Sequence, residues 1–169
     1  MRRQADAAGE PPRPCSPSRV VRQSRRRMER DVDQFIADDY RQLWFITLTF
    51  PGSPTLEEAT ARFAKLGRLM RREFGDQPGW WKRELHASGV VHIHLLYRLS
   101  KPRPVLEEWL RTKWYPAYRL EIDSGPVTVT PAHEGVKKYL LKESDHALPD
   151  TAHKYGRWGT ATHISTNVE

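Results

Sequence analysis

The chain is organised around the stretch Glu84-Leu-His-Ala-Ser-Gly-Val-Val-His-Ile-His-Leu-Leu-Tyr97. Side chains from Val90 to Tyr97 alternate in character, which is the period of a β-strand. Residues Trp80 to His86 have the composition of a second strand. The intervening Ala87-Ser88-Gly89 suits a three-residue hairpin loop, with glycine where the backbone needs a positive φ. The sequence therefore predicts a β-hairpin here.

The predicted hairpin places a carboxylate and two imidazoles on one face. Its loop length pairs Glu84 with His92, and His94 follows on the same face because side chains alternate along a strand. Cross-strand neighbours lie about 5 Å apart at Cβ. Such a set can bind a divalent metal ion and leave coordination positions open. The alternative is an ordinary polar surface, and His86 is either a rival ligand or a residue that supports the ligands.

Composition indicates one folded domain with a polyanionic partner. The chain has 169 residues, a formal net charge of +7 and a pI near 9.8. Residues 1–27 hold eight arginines against Asp6 and Glu10, so the rest of the chain is nearly neutral. We predict a disordered basic tail at 1–27 and one domain at 28–169. The tail either adds salt-dependent affinity for phosphates or is a solvated leader with no specific role.

Cysteine usage and hydropathy point to the cytoplasm and away from membranes. The single cysteine, Cys15, excludes an internal disulfide and fits a reducing compartment. No apolar run has the length of a membrane span, and no signal peptide is visible. We therefore expect a cytoplasmic protein without a membrane partner.

The remaining patterns predict alternating strands and helices. Helical spacing favours helices at about 28–40, 105–114 and 132–144, and a long helix begins at the capping box Thr55-x-x-Glu58 and ends at Gly75. Strand patterns cover Leu43 to Phe50, about 118–122 and about 126–130. Adjacent strands joined by a hairpin, with helices between them, indicate an α+β fold with a mainly antiparallel sheet. A ferredoxin-like split β-α-β arrangement is the economical prediction.

The last predicted helix carries a candidate nucleophile. Tyr139 and Lys142 are three residues apart, so they lie on one side of that helix. A helix packed on the sheet through Val136 and Leu140 would hold the phenol over the polar patch. Tyrosine is a weak nucleophile at its free pKa of about 10, so it needs a nearby cation and a polarised electrophile. The alternative is a tyrosine at the rim of the core.

Three motifs in fixed order resemble those of the HUH endonuclease superfamily, and within it the rolling-circle replication initiators, or Rep proteins. They are Phe45-Ile-Thr-Leu-Thr-Phe50, then His92-Ile-His94 with Glu84 before it, then Tyr139-x-x-Lys142. The resemblance spans about residues 43–145. Gly156-Arg-Trp-Gly159 is also similar to a segment that follows the nuclease core in bacterial plasmid Rep proteins.

The resemblance implies the HUH nuclease fold, a ferredoxin-like or RRM-like central antiparallel sheet with helices packed on it. It also implies a division of roles among the candidate residues. Glu84, His92 and His94 would bind Mg²⁺ or Mn²⁺. Tyr139 would be the single nucleophile, and Lys142 would assist it. The residues expected near bound DNA are Thr47, Thr49 and Lys138.

The implied activity is nicking and rejoining of single-stranded or hairpin origin DNA through a 5′-phosphotyrosine, which initiates rolling-circle replication. A host helicase and polymerase are the implied partners, in a bacterial cytoplasm with the chain encoded by the bacterium, a phage or a plasmid. The alternatives are a single-tyrosine HUH transposase and a non-catalytic basic DNA-binding module. A relaxase is disfavoured because neither a third histidine in the motif nor an N-terminal tyrosine is evident.

Overall fold

The computed structural model describes residues 19–36, 42–50, 52–85, 89–114, 127–133, 135–141, 148 and 154–159. The helices are α1 (Arg19–Ile36), α2 (Leu56–Phe74), α3 (Arg103–Trp114) and α4 (Gly135–Leu141). The strands are β1 (Leu43–Thr49), β2 (Gly79–Leu85), β3 (Val91–Arg98), β4 (Val127–Pro131) and β5 (Tyr155–Trp158). None of these helices has the length and apolar character that crossing a membrane requires.

The five strands form one antiparallel sheet in the order β4-β1-β3-β2-β5. The first four follow the order of the ferredoxin-like split β-α-β arrangement, and β5 adds to the free edge of β2. The predicted α+β class with helices on a central antiparallel sheet is therefore confirmed.

The central hairpin has the predicted register. Glu84 lies opposite His92, and Leu85 lies opposite Val91. Gly89 has φ 78°, the left-handed conformation expected for the glycine of the loop. Residues 86–88 lie outside the described residues, so the place of His86 does too.

Helices cover both faces of the sheet. α2 and α3 pack on one face against Ile46, Ile93, Leu95 and their neighbours. α1 and α4 pack on the other face, where a second core includes Leu43, Trp80 and Leu96. The odd-numbered positions of β1 and the even-numbered positions of β3 point toward α1 and α4, which places the candidate metal ligands on that side.

Two helices differ from the predicted bounds. α1 begins at Arg19 rather than near residue 28, because no glycine or proline interrupts the sequence between Pro17 and Ile36. Residues 19–27 therefore belong to a helix and not to the predicted tail, while 1–18 lie outside the described residues. α4 begins at Gly135 and not at Ala132. The Ala132 backbone N–H still donates to the Leu43 carbonyl of β1, so Ala132 continues the hydrogen bonding of the sheet. The predicted strand at 118–122 and the end of the last helix at 142–144 also lie outside the described residues.

β5 covers most of the Gly156-Arg-Trp-Gly159 segment, where the sequence patterns predicted no strand. Trp158 points to the α2 side, where its ring stacks on Phe63 with 4.5 Å between centroids. On the other side Arg157 donates to the backbone carbonyl of Asp31 in α1 at 3.0 Å. β5 therefore joins helices from both faces to the sheet edge.

We expect Gly159→Ala to destabilise the fold at the end of β5. Gly159 has φ 70°, and a Cβ there would lie 2.5 Å from the backbone oxygen of Gln77. Backbone strain and overpacking together should lower the free energy of unfolding by about 3 kcal/mol, measured by urea denaturation.

Gly52→Ala is the matched control for this change. Gly52 has φ 73°, but a Cβ there would meet nothing within 4 Å. Only the backbone strain remains, so the expected loss is about 1 kcal/mol. Equal losses in the two variants would contradict the close approach of Gly159 to Gln77.

Candidate functional site

Six polar side chains from the three inner strands converge on the face that carries α1 and α4. We call them the central polar patch: Thr47, Thr49, Lys82, Glu84, His92 and His94. β3 lies between β1 and β2, so His94 pairs with Thr47 on one side and with Lys82 on the other. His94 and Lys82 are buried, at 3% and 7% exposed, whereas Thr47 is partly exposed.

Threonine hydroxyls from β1 contact both histidines. Thr47 Oγ1 lies 3.2 Å from His94 Nδ1, and Thr49 Oγ1 lies 3.2 Å from His92 Nδ1. Each pair is also a cross-strand pair, so the sheet register fixes both contacts. A hydroxyl at Nδ1 leaves Nε2 as the nitrogen that can bind a metal ion, and such a contact sets the ring orientation.

Glu84 is shared between two partners. Its Oε2 lies 3.2 Å from His94 Nε2, and its Oε1 forms an ion pair with the Lys82 ammonium. Burial alone would raise the pKa of Glu84, but hydrogen bonds from His94 and Lys82 outweigh burial and hold the pKa at about 2. The carboxylate is therefore ionised at every physiological pH.

Tyr139 lies over the patch. Its ring contacts His94 edge-on, with 5.0 Å between centroids and an interplanar angle of 90°. Phe45 of β1 contacts both rings: it stacks on His94 at 5.6 Å and meets Tyr139 edge-on at 5.6 Å. Val136 and Leu140 are buried in the core beneath α4, while Tyr139 is 50% exposed. The phenol is thus held beside the histidine and still accessible from outside.

The structure brings together most, but not all, of the predicted site. Glu84, His94 and Tyr139 are in mutual proximity, and His92 faces Glu84 in register. In the described part of the chain, however, no three His, Cys, Asp or Glu side chains are already arranged as a complete metal site. Lys138 is exposed beside Tyr139, and Lys142 lies outside the described residues.

Sequence reasoning missed two members of the site. Lys82 precedes Glu84 by two residues and so shares its face, a signal that alternation along the strand already contained. Phe45 shares the face of Thr47 by the same alternation, but its contact with Tyr139 depends on where α4 packs. The first residue could have been found from the strand pattern, and the second required the tertiary structure.

Comparisons of the chain with protein-family models, with curated proteins and with solved structures find no match. The fold and the site geometry therefore carry the functional argument.

Proposed function

We propose that the protein is a metal-dependent single-stranded DNA endonuclease that cuts and rejoins a strand through Tyr139. The observation that carries this proposal is the contact of the Tyr139 ring with His94, whose Nε2 lies 3.2 Å from the Glu84 carboxylate. A half-exposed tyrosine beside a buried imidazole that is paired with a carboxylate has the elements of nucleophilic attack at a phosphate.

The proposed metal site is supported by the spacing of two donor atoms in the patch. Adjacent oxygen or nitrogen ligands of an octahedral Mg²⁺ or Mn²⁺ ion lie about 3 Å apart, which is close to the 3.2 Å between Glu84 Oε2 and His94 Nε2. His92, opposite Glu84, would supply the third donor. A bound ion would polarise the scissile phosphate as a Lewis acid.

The chain's own residues would carry out the transfer. The Tyr139 oxygen attacks the phosphorus in line, a tyrosine–phosphate bond forms, and the bond from phosphorus to the 3′ oxygen breaks. The products are a 5′-phosphotyrosine and a strand that ends in 3′-OH. The phenol loses one proton, and the departing 3′ oxygen gains one. The reverse reaction rejoins the strands, which accounts for ligation by the same site.

The environment of Tyr139 makes activation necessary. Partial burial and the Glu84 carboxylate raise the pKa of the phenol above its ordinary value. The phenol is therefore protonated at neutral pH, and additional positive charge must favour the phenolate during attack. Lys142 is the residue that we propose for this role, together with the metal ion.

The biological role that we propose is initiation of rolling-circle replication. A 3′-OH released at an origin can prime copying of the other strand, and the 5′ end stays attached to Tyr139 until it is rejoined. Single-stranded or hairpin DNA would be the substrate, with Lys138, Thr47 and Thr49 close to its path. A cytoplasmic location and recruitment of a host helicase and polymerase belong to the same proposal.

The decisive experiment is a search for the covalent intermediate. The full chain is incubated with labelled single-stranded oligonucleotides that contain hairpins, with Mn²⁺ or with EDTA, and analysed on a denaturing gel. We expect a Mn²⁺-dependent adduct, with mass spectrometry locating the nucleotide on the peptide that contains Tyr139. DNA binding without cleavage or adduct under all metal conditions would instead indicate a non-catalytic binding module.

We expect Thr47→Val to weaken Mn²⁺ binding by about tenfold, because the hydroxyl at His94 Nδ1 orients the ligand. Isothermal titration calorimetry with Mn²⁺, in the absence of DNA, measures this affinity directly. Thr128→Val is the matched control, since Thr128 lies opposite Thr47 on β4 and is exposed on the same face. If only DNA affinity changes in Thr47→Val, the threonine contacts the substrate and does not support the metal site.

A further inference from the structure

Lys82 is a buried cation beside the candidate metal ligands, and the mechanism above gives it no role. It precedes Glu84 on β2, pairs with His94 on β3, and is 7% exposed. Lysine is almost never fully buried unless an opposite charge accompanies it. Here the Glu84 carboxylate provides that charge.

The two oxygens of Glu84 have different partners. Oε1 contacts the Lys82 ammonium, whereas Oε2 faces His94 Nε2 at 3.2 Å. A metal ion bound by Oε2 and His94 would therefore not displace Lys82. The ammonium and the ion can occupy the site together, separated by one carboxylate group.

The charge balance shows what Lys82 adds. A dication with one carboxylate and two neutral imidazoles has a charge of about +1, and an ammonium raises it to about +2. A phosphodiester is an anion, and attack by a phenolate adds a second negative charge. The more positive site repels a free metal ion more strongly and attracts the reacting phosphate more strongly.

We propose that Lys82 is a positioning residue that anchors Glu84, lowers the affinity of the free protein for divalent metal ions and raises the affinity of the metal-loaded site for DNA phosphate. The proposal rests on the proposed function, because it takes the central polar patch as the metal site. Lys82 is too buried to reach the DNA itself, so it acts through its charge and through Glu84. Its role differs from that of Lys142, which is expected to act at Tyr139.

The experiment removes the charge and measures metal binding without any reaction. Mn²⁺ is titrated calorimetrically into the wild type, Lys82→Gln and Lys65→Gln. Repulsion between a dication and an ammonium one carboxylate away is worth about tenfold in affinity even with water-like screening. We therefore expect Lys82→Gln to bind Mn²⁺ at least about tenfold more tightly. Lys65, exposed on α2 against the opposite face of the sheet, loses the same charge and should leave the affinity unchanged.

A second measurement tests the other half of the proposal. In a Tyr139→Phe background, which prevents cleavage, fluorescence anisotropy measures binding of a hairpin oligonucleotide with saturating Mn²⁺. Lys82→Gln should weaken this binding about threefold, because a phosphodiester carries one charge where the metal ion carries two. Lys82→Met is the second variant if Lys82→Gln unfolds, which circular dichroism would show.

The outcomes separate this inference from the proposed function. Unchanged or weaker Mn²⁺ binding in Lys82→Gln overturns the role of Lys82, even if the wild type forms the covalent adduct. Tighter Mn²⁺ binding with no adduct in the wild type supports the role of Lys82 and overturns the nuclease. A wild type that binds no Mn²⁺ overturns both.

Discussion

Tyr139→Phe should abolish strand cleavage and the covalent adduct, with a loss of at least about 10³-fold, because only the phenol oxygen can form the bond to phosphorus. The ring contacts with His94 and Phe45 do not involve the hydroxyl and should persist. Since the side chain is half exposed, we also expect the fold and the affinity for uncleaved DNA to be unchanged. The measurement is cleavage of labelled single-stranded DNA with Mn²⁺, with anisotropy reporting binding.

Tyr155→Phe provides the matched control. Tyr155 belongs to the same face of the sheet, where its ring stacks on Trp80 with 6.2 Å between centroids. It lies opposite Lys82 on the edge strand and has no ring contact with the histidines among the described residues. This variant should cut at the wild-type rate. Residual nicking in Tyr139→Phe, together with loss in Tyr155→Phe, would move the nucleophile to β5.

The hairpin shows why part of the site was predictable from sequence. A loop of fixed length determines which residues pair, and alternation then determines which side chains share a face. Glu84 and His92 therefore lie opposite each other, as predicted. The faces of β1 follow from the same rule. Interactions within a single local unit leave few alternatives.

Contacts between different secondary-structure elements could not be predicted from the sequence in the same way. Alternation identifies Phe45 as a residue of the site face, but its position between His94 and Tyr139 depends on how α4 packs against β1. The division of the Glu84 carboxylate between Lys82 and His94 depends on side-chain rotamers, which the strand pattern does not specify. The early start of α1 has another cause: an arginine-rich segment resembles a solvated tail in composition, yet arginine favours helices.

Glu84→Gln should reduce Mn²⁺ affinity by at least about 100-fold and remove nicking with it. Glutamine keeps the shape of the side chain but supplies a neutral oxygen, and hard divalent ions favour carboxylates. The Lys82 ammonium, no longer paired with this carboxylate, adds a repulsive charge to the same site. Calorimetric titration of Mn²⁺ checks the prediction, and binding equal to that of the wild type would exclude Glu84 as a ligand.

The same variant should also lose pH-dependent stability. Folding lowers the pKa of Glu84 from 4.5 to about 2, so the ionised form stabilises the native state above pH 4.5 and this stabilisation disappears as the pH falls through about 2. At neutral pH we expect Glu84→Gln to be less stable by about 2 kcal/mol, because it removes the carboxylate that pairs with the buried Lys82 ammonium. The difference from the wild type should shrink steadily on acidification below pH 4.5, as measured by urea denaturation across that range.

A double substitution separates the loss of the metal ligand from the loss of the ion pair. In Glu84→Gln/Lys82→Met the buried ammonium is removed together with its carboxylate partner, so most of the lost stability should return. Mn²⁺ affinity should rise about tenfold with the loss of the ammonium and still stay below that of the wild type, because the carboxylate is missing. If metal binding recovered together with stability, Glu84 would serve only to neutralise Lys82, and the two histidines with other donors would have to hold the ion. Because the second substitution is expected to restore most of the stability but only part of the metal affinity, the pair of measurements identifies which of the two roles Glu84 has.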